Sequence, residues 1–416
     1  MHKHYTSKIE QNTEALQNGK EVTRSECFFL STSQPENGSR KVSLGTTTGI
    51  HAKKENNGLS FGENSKKSRY KLLDTAKHLL SNERITFCLH SLPTGAKVLQ
   101  DTKTGHAHLA GVARCGLGWV CPVCSTKIAL GRRSELLEAS TAAREKGLQA
   151  YFVTYTASHK KEDTLQDNFT DMKAALTSLK VSRAWRELKI NSGMVGYVDA
   201  WEITFGNANG WHPHMHSVIF ASPGLDVQKL EISIFELWEK SLAKLGLSAS
   251  KEHGVKVARA NDNIGEYLTK WNLETEMTGA NFKEGKAKSY TPMGLLALYQ
   301  AGNKQAGILF QEYAKATKGK SSLRFSRGLR DLLGLGQGST DKELAEAEQG
   351  RTAETLATFS PALWKEIKRQ GKSGVIGELL IVAGMGQGAL DIWLGALFRM
   401  GIDIEGRVRK KNDLQN

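Results

Sequence analysis

Three histidines at alternate positions are the clearest chemical feature of the sequence. His212, His214 and His216 precede a hydrophobic run that reaches Phe220. Successive side chains of a β-strand point to opposite faces, so this spacing predicts three imidazoles on one face of a strand. Imidazoles held on one rigid strand can bind a divalent metal ion, and we therefore predict a metal site here. The alternative is a polar strand face whose histidines contact only water or hydroxyl groups.

A tyrosine and a lysine follow on a predicted helix. Asp262 or Asn263 could cap this helix, and few helix-breaking residues come after them. Tyr267 and Lys270 are three residues apart and would share one helix face. A tyrosine hydroxyl, with an unperturbed pKa of about 10, is a poor nucleophile at neutral pH. A nearby cation and a metal-polarised phosphate diester would make it useful, although Tyr-x-x-Lys alone is typical of an ordinary helix surface.

Together these residues resemble the motifs of the HUH endonucleases. His214-Met215-His216 matches their His-hydrophobic-His motif, and Tyr267-x-x-Lys270 matches their single-tyrosine catalytic helix. The string Trp-His-Pro-His-Met-His, which begins at Trp211, is similar to plasmid rolling-circle replication initiators of the Rep_1 type. Residues 151–156 resemble the strand that opens the same nuclease domain. The resemblance covers roughly residues 88–330, and the histidines precede the tyrosine as in the initiators, whereas conjugative relaxases usually carry the nucleophile near the N-terminus.

The resemblance implies metal-dependent, site- and strand-specific nicking of DNA at the double-strand origin of a plasmid. Tyr267 would form a 5′-phosphotyrosine link and release a 3′-hydroxyl that primes synthesis, and strand transfer would end the cycle. The implied partners are double- and single-stranded origin DNA, a host helicase, the replicative polymerase and a second copy in a homodimer. Two alternatives stay open, namely a mobilisation relaxase or HUH transposase, and a non-catalytic zinc-containing DNA-binding protein.

The third metal ligand is left open between two residues. A predicted hairpin places Glu202 on the strand beside the histidines, and two histidines with one acid favour Mg²⁺ or Mn²⁺. His212 is the rival ligand, although it lies before Pro213 at the entrance of the strand. Asp199, on the same strand as Glu202, is predicted to be a surface acid or to lie near a turn.

Termination needs a second cut, for which some relatives use a glutamate four residues before the tyrosine. This chain has Asn263 at that position, so the assignment does not transfer. Glu266 or Asp262 could activate water instead, and a second tyrosine is a further option. Glu266 could equally pair with Lys270 as ordinary helix support.

Four of the five cysteines form a second candidate metal site. These are Cys88, Cys115, Cys121 and Cys124, the last two in a Cys-Pro-Val-Cys motif. In a reducing compartment this pattern favours tetrahedral structural zinc over disulfides. The alternatives are a thioredoxin-like redox pair, whose strand–helix context is not evident, and ligation by His90, His106 or His108. The Rep_1 resemblance implies a similar cluster ahead of the nuclease domain, and Cys27 has no evident partner.

The charge balance agrees with a polyanionic partner. The 416 residues carry 57 Lys and Arg against 43 Asp and Glu, a formal net charge of +14. Such an excess favours DNA, but RNA or an anionic membrane would also satisfy it. The first residues lack an apolar signal region, and the apolar stretch 374–398 is interrupted by charges, so it is predicted to form soluble helices. We expect a cytoplasmic protein without a membrane partner.

Four segments are predicted along the chain. They are a disordered basic leader over 1–70, a cysteine-rich zinc-binding segment with flanking helices over 71–146, the HUH nuclease domain over 147–282 and a helical region over 283–416. The nuclease segment follows a βαββαβα order, which predicts an α+β fold with a central antiparallel sheet and helices on one face.

The last segment carries predicted helices and a basic motif. The helices are expected over 293–316, 341–358 and 361–369. Arg324, Arg327 and Arg330 are spaced by three residues, in a stretch that resembles one found after the nuclease domain of Rep_1 proteins. They could contact phosphates or form a solvated basic face. We assign the region only to origin binding, partner contacts or oligomerisation.

Overall fold

A computed structural model describes residues 61–260, 289–347, 352–371 and 373–399. Within these ranges the helices are α1 Phe61–Leu79, α2 Pro122–Glu145, α3 Leu165–Val181, α4 Arg183–Asn191, α5 Val227–Ala243, α6 Pro292–Gln300, α7 Lys304–Thr317, α8 Leu329–Leu333, α9 Asp341–Glu346, α10 Pro361–Gly371, α11 Gly374–Gly384 and α12 Gln387–Arg399. The strands are β1 Ala96–Asp101, β2 Ala107–Ala110, β3 Gln149–Tyr155, β4 Gly196–Gly206, β5 Gly210–Ala221, β6 Val255–Arg259, β7 Ser289–Tyr290, β8 Leu323–Phe325 and β9 Ala353–Phe359.

The larger sheet is antiparallel and has the strand order β6-β3-β5-β4-β7, with β8 also paired to β4. The predicted hairpin of β4 and β5 is confirmed, and its turn is formed by residues 207–209. Gly210 has a φ of +75°, and a Cβ there would lie 2.6 Å from the carbonyl oxygen of Lys161. Only glycine tolerates both constraints, so Gly210 fixes the start of β5, the strand that carries His212, His214 and His216.

One face of this sheet is covered by α3, α4 and α5. The five apolar positions predicted for α3 are all buried, namely Leu165, Phe169, Met172, Leu176 and Leu179. Ile234 and Trp238 of α5 are also buried, and they pack with Tyr155 and Met215 of the sheet. The 3.6-residue period of the sequence therefore predicted this layer correctly.

The opposite face is covered along only part of its length. Leu136 and Ala139 of α2 and Leu329 of α8 pack over Phe152 and Phe220 of the sheet. The prediction of helices on one face only was therefore wrong here. The reason lies in β5, which is buried at every position from Val218 onward, and a strand buried on both sides needs a second layer.

A smaller antiparallel sheet has the order β2-β1-β9. The expected helix over 341–358 is correct only for α9, because residues 353–359 form β9 and pair with β1 instead. These residues, Ala-Glu-Thr-Leu-Ala-Thr-Phe, include two β-branched threonines and a phenylalanine, which are residue types enriched in strands, and β1 offers them an open edge. The region after residue 283 is thus not purely helical, since β7, β8 and β9 lie within it.

Helix α1 begins earlier than predicted. It starts at Phe61, so residues 61–70 are helical and do not belong to an irregular leader; residues 1–60 lie outside the described residues. Tyr70 and Leu73 are buried in one core with residues of α11, along which α1 packs. The described residues all belong to one compact unit. No helix in the described ranges has the length and apolar character needed to cross a membrane.

Candidate active site

The three histidines lie on the part of the second sheet face that α2 and α8 leave uncovered. In the register of β4 and β5, Thr204 pairs with His212, Glu202 with His214, and Ala200 with His216. Directly paired residues of an antiparallel sheet share a face, so Glu202 lies among the imidazoles. The strand alternation in the sequence correctly predicted this arrangement of His212, His214, His216 and Glu202.

Two threonines, Thr154 on β3 and Thr156 directly after that strand, orient the imidazoles. The Oγ1 of Thr154 lies 3.1 Å from Nδ1 of His216, and the Oγ1 of Thr156 lies 3.1 Å from Nδ1 of His214. A hydrogen bond at one ring nitrogen decides which nitrogen is left for a metal. Both histidines therefore direct Nε2 toward the site, and the Nε2 of His216 lies 2.7 Å from Oε2 of Glu202.

His159, from the loop after β3, extends the row of imidazoles, and the sequence reasoning missed it. Its Nε2 lies 2.5 Å from Nδ1 of His212, and its Nδ1 is buried with no hydrogen-bond partner among the described residues. The ring centroids of His212 and His214 are 4.1 Å apart, and those of His214 and His216 are 6.1 Å apart. His212 thus lies between His159 and His214, further from Glu202 than the other two strand histidines.

Burial keeps this part of the site uncharged. The pKa of His214 is lowered to about 4, first by burial and then by the neighbouring His212. The pKa of His212 is also lowered, again first by burial and then by His159. A neutral imidazole is the form that binds metal ions, so His214 is ready to bind one at neutral pH.

The histidine and glutamate donors form a more open group than the cysteines do. Across the described ranges, the four cysteines are the one set of three or more such side chains whose ligand atoms all lie within 4.8 Å of one another. Donor atoms that bind one ion at about 2.0–2.2 Å lie within about 4.4 Å of one another, so at least one side chain of the histidine and glutamate group would have to rotate before all of them could share an ion. The two groups therefore differ in geometry as well as in ligand type.

The cysteine cluster has the dimensions of a tetrahedral thiolate site. All four cysteines are buried, and the Sγ of Cys88 lies 3.7 Å from that of Cys121 and 3.6 Å from that of Cys124. The Sγ atoms of Cys115 and Cys124 are also 3.6 Å apart. Four sulfurs at about 2.3 Å from one zinc ion would be separated by about 3.8 Å. The cluster could therefore bind a metal such as zinc.

Local structure explains how the cysteines meet. Cys121 caps α2, and its sulfur accepts a hydrogen bond from the backbone N–H of Cys124, so both lie at the positive end of that helix. Backbone hydrogen bonds join Leu89 and His90 to Ala113, which brings Cys88 close to Cys115. The alternative histidine ligands do not belong to this group.

Two lysines lie beside the cluster. The Nζ of Lys77 donates a hydrogen bond of 2.7 Å to the carbonyl oxygen of Cys88, and the Nζ of Lys368 donates one of 3.2 Å to that of Leu89. Burial and the nearby Lys77 lower the pKa of Lys368 to about 8. Four thiolates around a divalent ion carry a net charge of −2, which these ammonium groups would offset.

The predicted nucleophile and its neighbours lie outside the described residues. Tyr267, Lys270 and Glu266, with Asp262 and Asn263, all fall within 261–288. On either side of this range, β6 pairs with β3 and β7 pairs with the end of β4.

Asp199 is not the surface acid that the sequence predicted. Both of its carboxylate oxygens lie 2.6 Å from the Nζ of Lys180 on α3, and the hydroxyl of Ser217 also donates to it. The side chains of Lys180 and Asp199 are only 10% and 13% exposed. This ion pair lies on the face covered by helices, away from the histidines.

The three arginines of the basic motif take different positions. Arg324 is on β8, and Arg327 is exposed in the following turn. Arg330 bonds to Glu135 at 3.2 Å and lies 4.0 Å from the ring centroid of Phe325, so its guanidinium stabilises the fold. The three do not form one basic face, and only Arg324 and Arg327 are open to solvent.

Comparisons with known proteins agree with these features. Residues 107–369, more than half of the chain and including the histidine strand, match the family described as Rep_1, replication protein. A replication protein (Protein rep) from Streptomyces lividans is 26% identical, over 67% of this chain and 77% of that protein. A neomycin resistance protein from Streptomyces cyanogenus is 29% identical over 33% of this chain and 37% of its own length. A Protein rep from Lentilactobacillus hilgardii is 26% identical over 25% of this chain and 32% of its own.

The fold is mixed α/β with antiparallel sheets and a four-cysteine cluster, and the family that matches it consists of replication proteins. The chain belongs to the Rep_1 family of replication proteins. The Rep_1 resemblance found in the sequence is thereby confirmed, and the match continues beyond residue 330 to residue 369. No solved structure matches the chain.

Proposed function

We propose that this chain is a plasmid rolling-circle replication initiator that nicks one strand of its origin and joins strands at termination. The observation that carries the proposal is the donor set of His214, His216 and Glu202 on one sheet face. Each histidine of that set has its Nδ1 held by a threonine hydroxyl. Two histidines with one carboxylate in an open site match a hard divalent ion such as Mg²⁺ or Mn²⁺.

When bound, such an ion polarises a phosphate oxygen and offsets the charge that develops during attack. The ion would be held by His214, His216 and Glu202. The hydroxyls of Thr154 and Thr156 would keep the imidazole rings in their orientation. Tyr267 would attack the phosphorus through its phenolic oxygen, forming a phosphotyrosine ester. The bond from phosphorus to the 3′-oxygen would break, the phenolic proton would pass to solvent, and the leaving oxygen would take up a proton as a free 3′-hydroxyl.

Chain length supports the placement of Tyr267 near the histidines. The backbone N–H of Ala260 donates a hydrogen bond to the carbonyl oxygen of Ala150. Ala150 pairs with Phe220, which lies four residues along β5 from His216. With strands about 4.8 Å apart and about 3.4 Å per residue, Ala260 is about 17 Å from His216. Seven residue steps link Ala260 to Tyr267; with the predicted helix from Asn263, three extended and four helical steps span about 16 Å, and the tyrosine side chain adds to this reach. Lys270 would then stabilise the phenolate, and Glu266 would activate water in the second cut.

The four cysteines would hold a structural Zn²⁺. Thiolates are soft ligands, zinc has no redox chemistry, and the site offers no open position, so the ion would stabilise the segment and not react. Arg324 and Arg327 would contribute phosphate contacts, while Arg330 would support the fold. The partners in this proposal are double- and single-stranded origin DNA, a host helicase, the replicative polymerase and a second copy of the chain.

A covalent adduct tests the proposal. With Mn²⁺ and single-stranded DNA from its own replicon's origin, the wild-type chain should form a protein–DNA adduct that mass spectrometry maps to Tyr267. Tyr267→Phe should abolish the adduct and leave DNA binding largely intact, because only the nucleophilic oxygen is lost. Tyr299→Phe, on α6, is the matched control and should react as wild type. An adduct on another residue would overturn the assignment of Tyr267 as the nucleophile. DNA binding without any adduct would contradict the nickase and favour the non-catalytic alternative.

A further inference from the structure

A cleft of about 620 Å³ lies next to the cysteine cluster and has no part in the proposed nicking site. One wall is the loop 116–120, which connects Cys115 to Cys121. The other walls are the end of α7 with the turn that follows it, and the start of α9 at Lys342. Gly116 has a φ of +61°, and a Cβ there would lie 3.1 Å from Cα of Lys342, so the loop approaches α9 closely.

The rim of the cleft is positively charged. Arg84, Lys315 and Lys342 line it and have no acidic partner among the described residues. The two lining acids are already paired: Glu83 lies 2.6 Å from Lys318, and Asp341 lies 2.7 Å from Arg132. The end of α7 adds partial negative charge, which Lys320 offsets by bonding to the carbonyl of Ala316. The net field favours an anion.

The floor of the cleft is apolar and aromatic. Trp119 lines it together with Leu80 and Ala314. The indole N–H of Trp119 donates to the carbonyl oxygen of Lys320 at 2.7 Å, and the ring meets Tyr313 edge-on at 6.2 Å. The indole is therefore held in one orientation and can serve as a rigid stacking surface.

A basic rim above an aromatic floor is the combination that binds unpaired nucleotides. Phosphates supply the negative charge, and the face of an exposed base can stack on an aromatic ring. In a duplex the base faces are covered by their neighbours in the stack. The geometry therefore favours a single strand over a duplex.

We propose that this cleft binds a short segment of single-stranded DNA, with a base on Trp119 and flanking phosphates on Arg84, Lys315 and Lys342. The proposal rests on the proposed function for the identity of the nucleic acid. It adds a second contact for the displaced or incoming strand, built by the cysteine-rich segment and separate from the histidine face.

Fluorescence anisotropy with a short labelled oligothymidine and the full chain tests the cleft. Lys315→Glu combined with Lys342→Glu should weaken binding at least about tenfold, because two phosphate contacts become repulsive. Lys304→Glu is the matched control, since Lys304 is exposed at the other end of α7, and it should bind nearly as wild type. Trp119→Leu should weaken binding about tenfold, and Trp119→Phe should restore most of it by returning a ring.

Crosslinking of wild-type protein keeps the test independent of variant folding. An oligonucleotide with 5-iododeoxyuridine, irradiated in the complex, should crosslink to the peptide that contains Trp119. Crosslinks confined to other peptides would overturn the proposal. So would equal affinity of the double variant and Lys304→Glu for the oligonucleotide, or a double variant that loses duplex binding as much as it loses single-strand binding. Tyr267→Phe should bind the oligonucleotide as wild type does, so failure of nicking and failure of the cleft are separate results.

Discussion

At the scale of single residues, the two threonine hydroxyls are the least expected part of the histidine site. Thr154 is on β3 and Thr156 directly follows its last residue, the buried Tyr155, so both threonines face the imidazoles. Metal-bound histidines commonly use their second nitrogen in this way, which fixes the ring and the tautomer. Thr154 and Thr156 are thus positioning residues in the proposed site and do not touch the metal themselves.

Removing one hydroxyl tests this role. Thr156→Val keeps the shape of the side chain but removes the partner of Nδ1 of His214. Mn²⁺ affinity at the histidine site should fall about 10- to 100-fold, because the ring loses its fixed orientation. Electron paramagnetic resonance titration with Mn²⁺ measures this, because the soft thiolates of the cysteine cluster compete poorly for that ion. Thr156→Ser should retain most of the affinity, and equal affinities in the Val and Ser variants would show that the hydroxyl has no such role.

At the scale of elements, the ion pair of Lys180 and Asp199 links α3 to β4 beneath the central sheet. The Nζ of Lys180 also lies 3.9 Å from the ring centroid of Tyr197, so the ammonium is enclosed by a carboxylate and an aromatic face. Burial lowers the pKa of Lys180, and Asp199 opposes that shift. Loss of one partner leaves an uncompensated charge in the core.

Asp199→Ala should lower the free energy of unfolding by about 3–5 kcal/mol in denaturant titration. Replacing both partners, with Lys180→Met and Asp199→Leu, should cost much less because no charge remains buried. Glu187→Ala removes the exposed pair with Arg183 and should cost about 0–1 kcal/mol. A small effect of Asp199→Ala would mean that water reaches Lys180. Mn²⁺ affinity should not change, since the pair lies on the face opposite the histidines.

The elements that local sequence could predict are those with a clear period. The apolar positions of α3 and the turn between β4 and β5 are examples, and both were predicted correctly. β9 could not be predicted, because its strand form depends on pairing with β1, far away in the sequence. His159 was missed for the same reason, since its partner His212 is 53 residues away and no local pattern marks it.

At the scale of the whole molecule, the cysteine cluster joins parts of the chain that are distant in sequence. Its four cysteines share one core with residues of α1, α11 and α3, and with Trp211 of the histidine strand. Trp364 and Lys368 of α10 both donate to the carbonyl oxygen of Leu89, directly after Cys88. A metal ion held by these cysteines would stabilise the C-terminal helices and the walls of the basic cleft as well as its own loop.

Metal removal tests that coupling. Chelation of Zn²⁺ should lower the thermal midpoint by at least about 5 °C, because binding energy at a structural site adds to folding energy. Zn²⁺ should restore the midpoint and Mg²⁺ should not, since thiolates discriminate against hard ions. Cys115→Ser should lose bound zinc, whereas Cys27→Ser should keep it, because the cluster has four thiolates without Cys27. If the cluster supports the cleft, the zinc-free protein should also bind oligothymidine more weakly. An unchanged midpoint with unchanged binding would show that the fold stands without the metal.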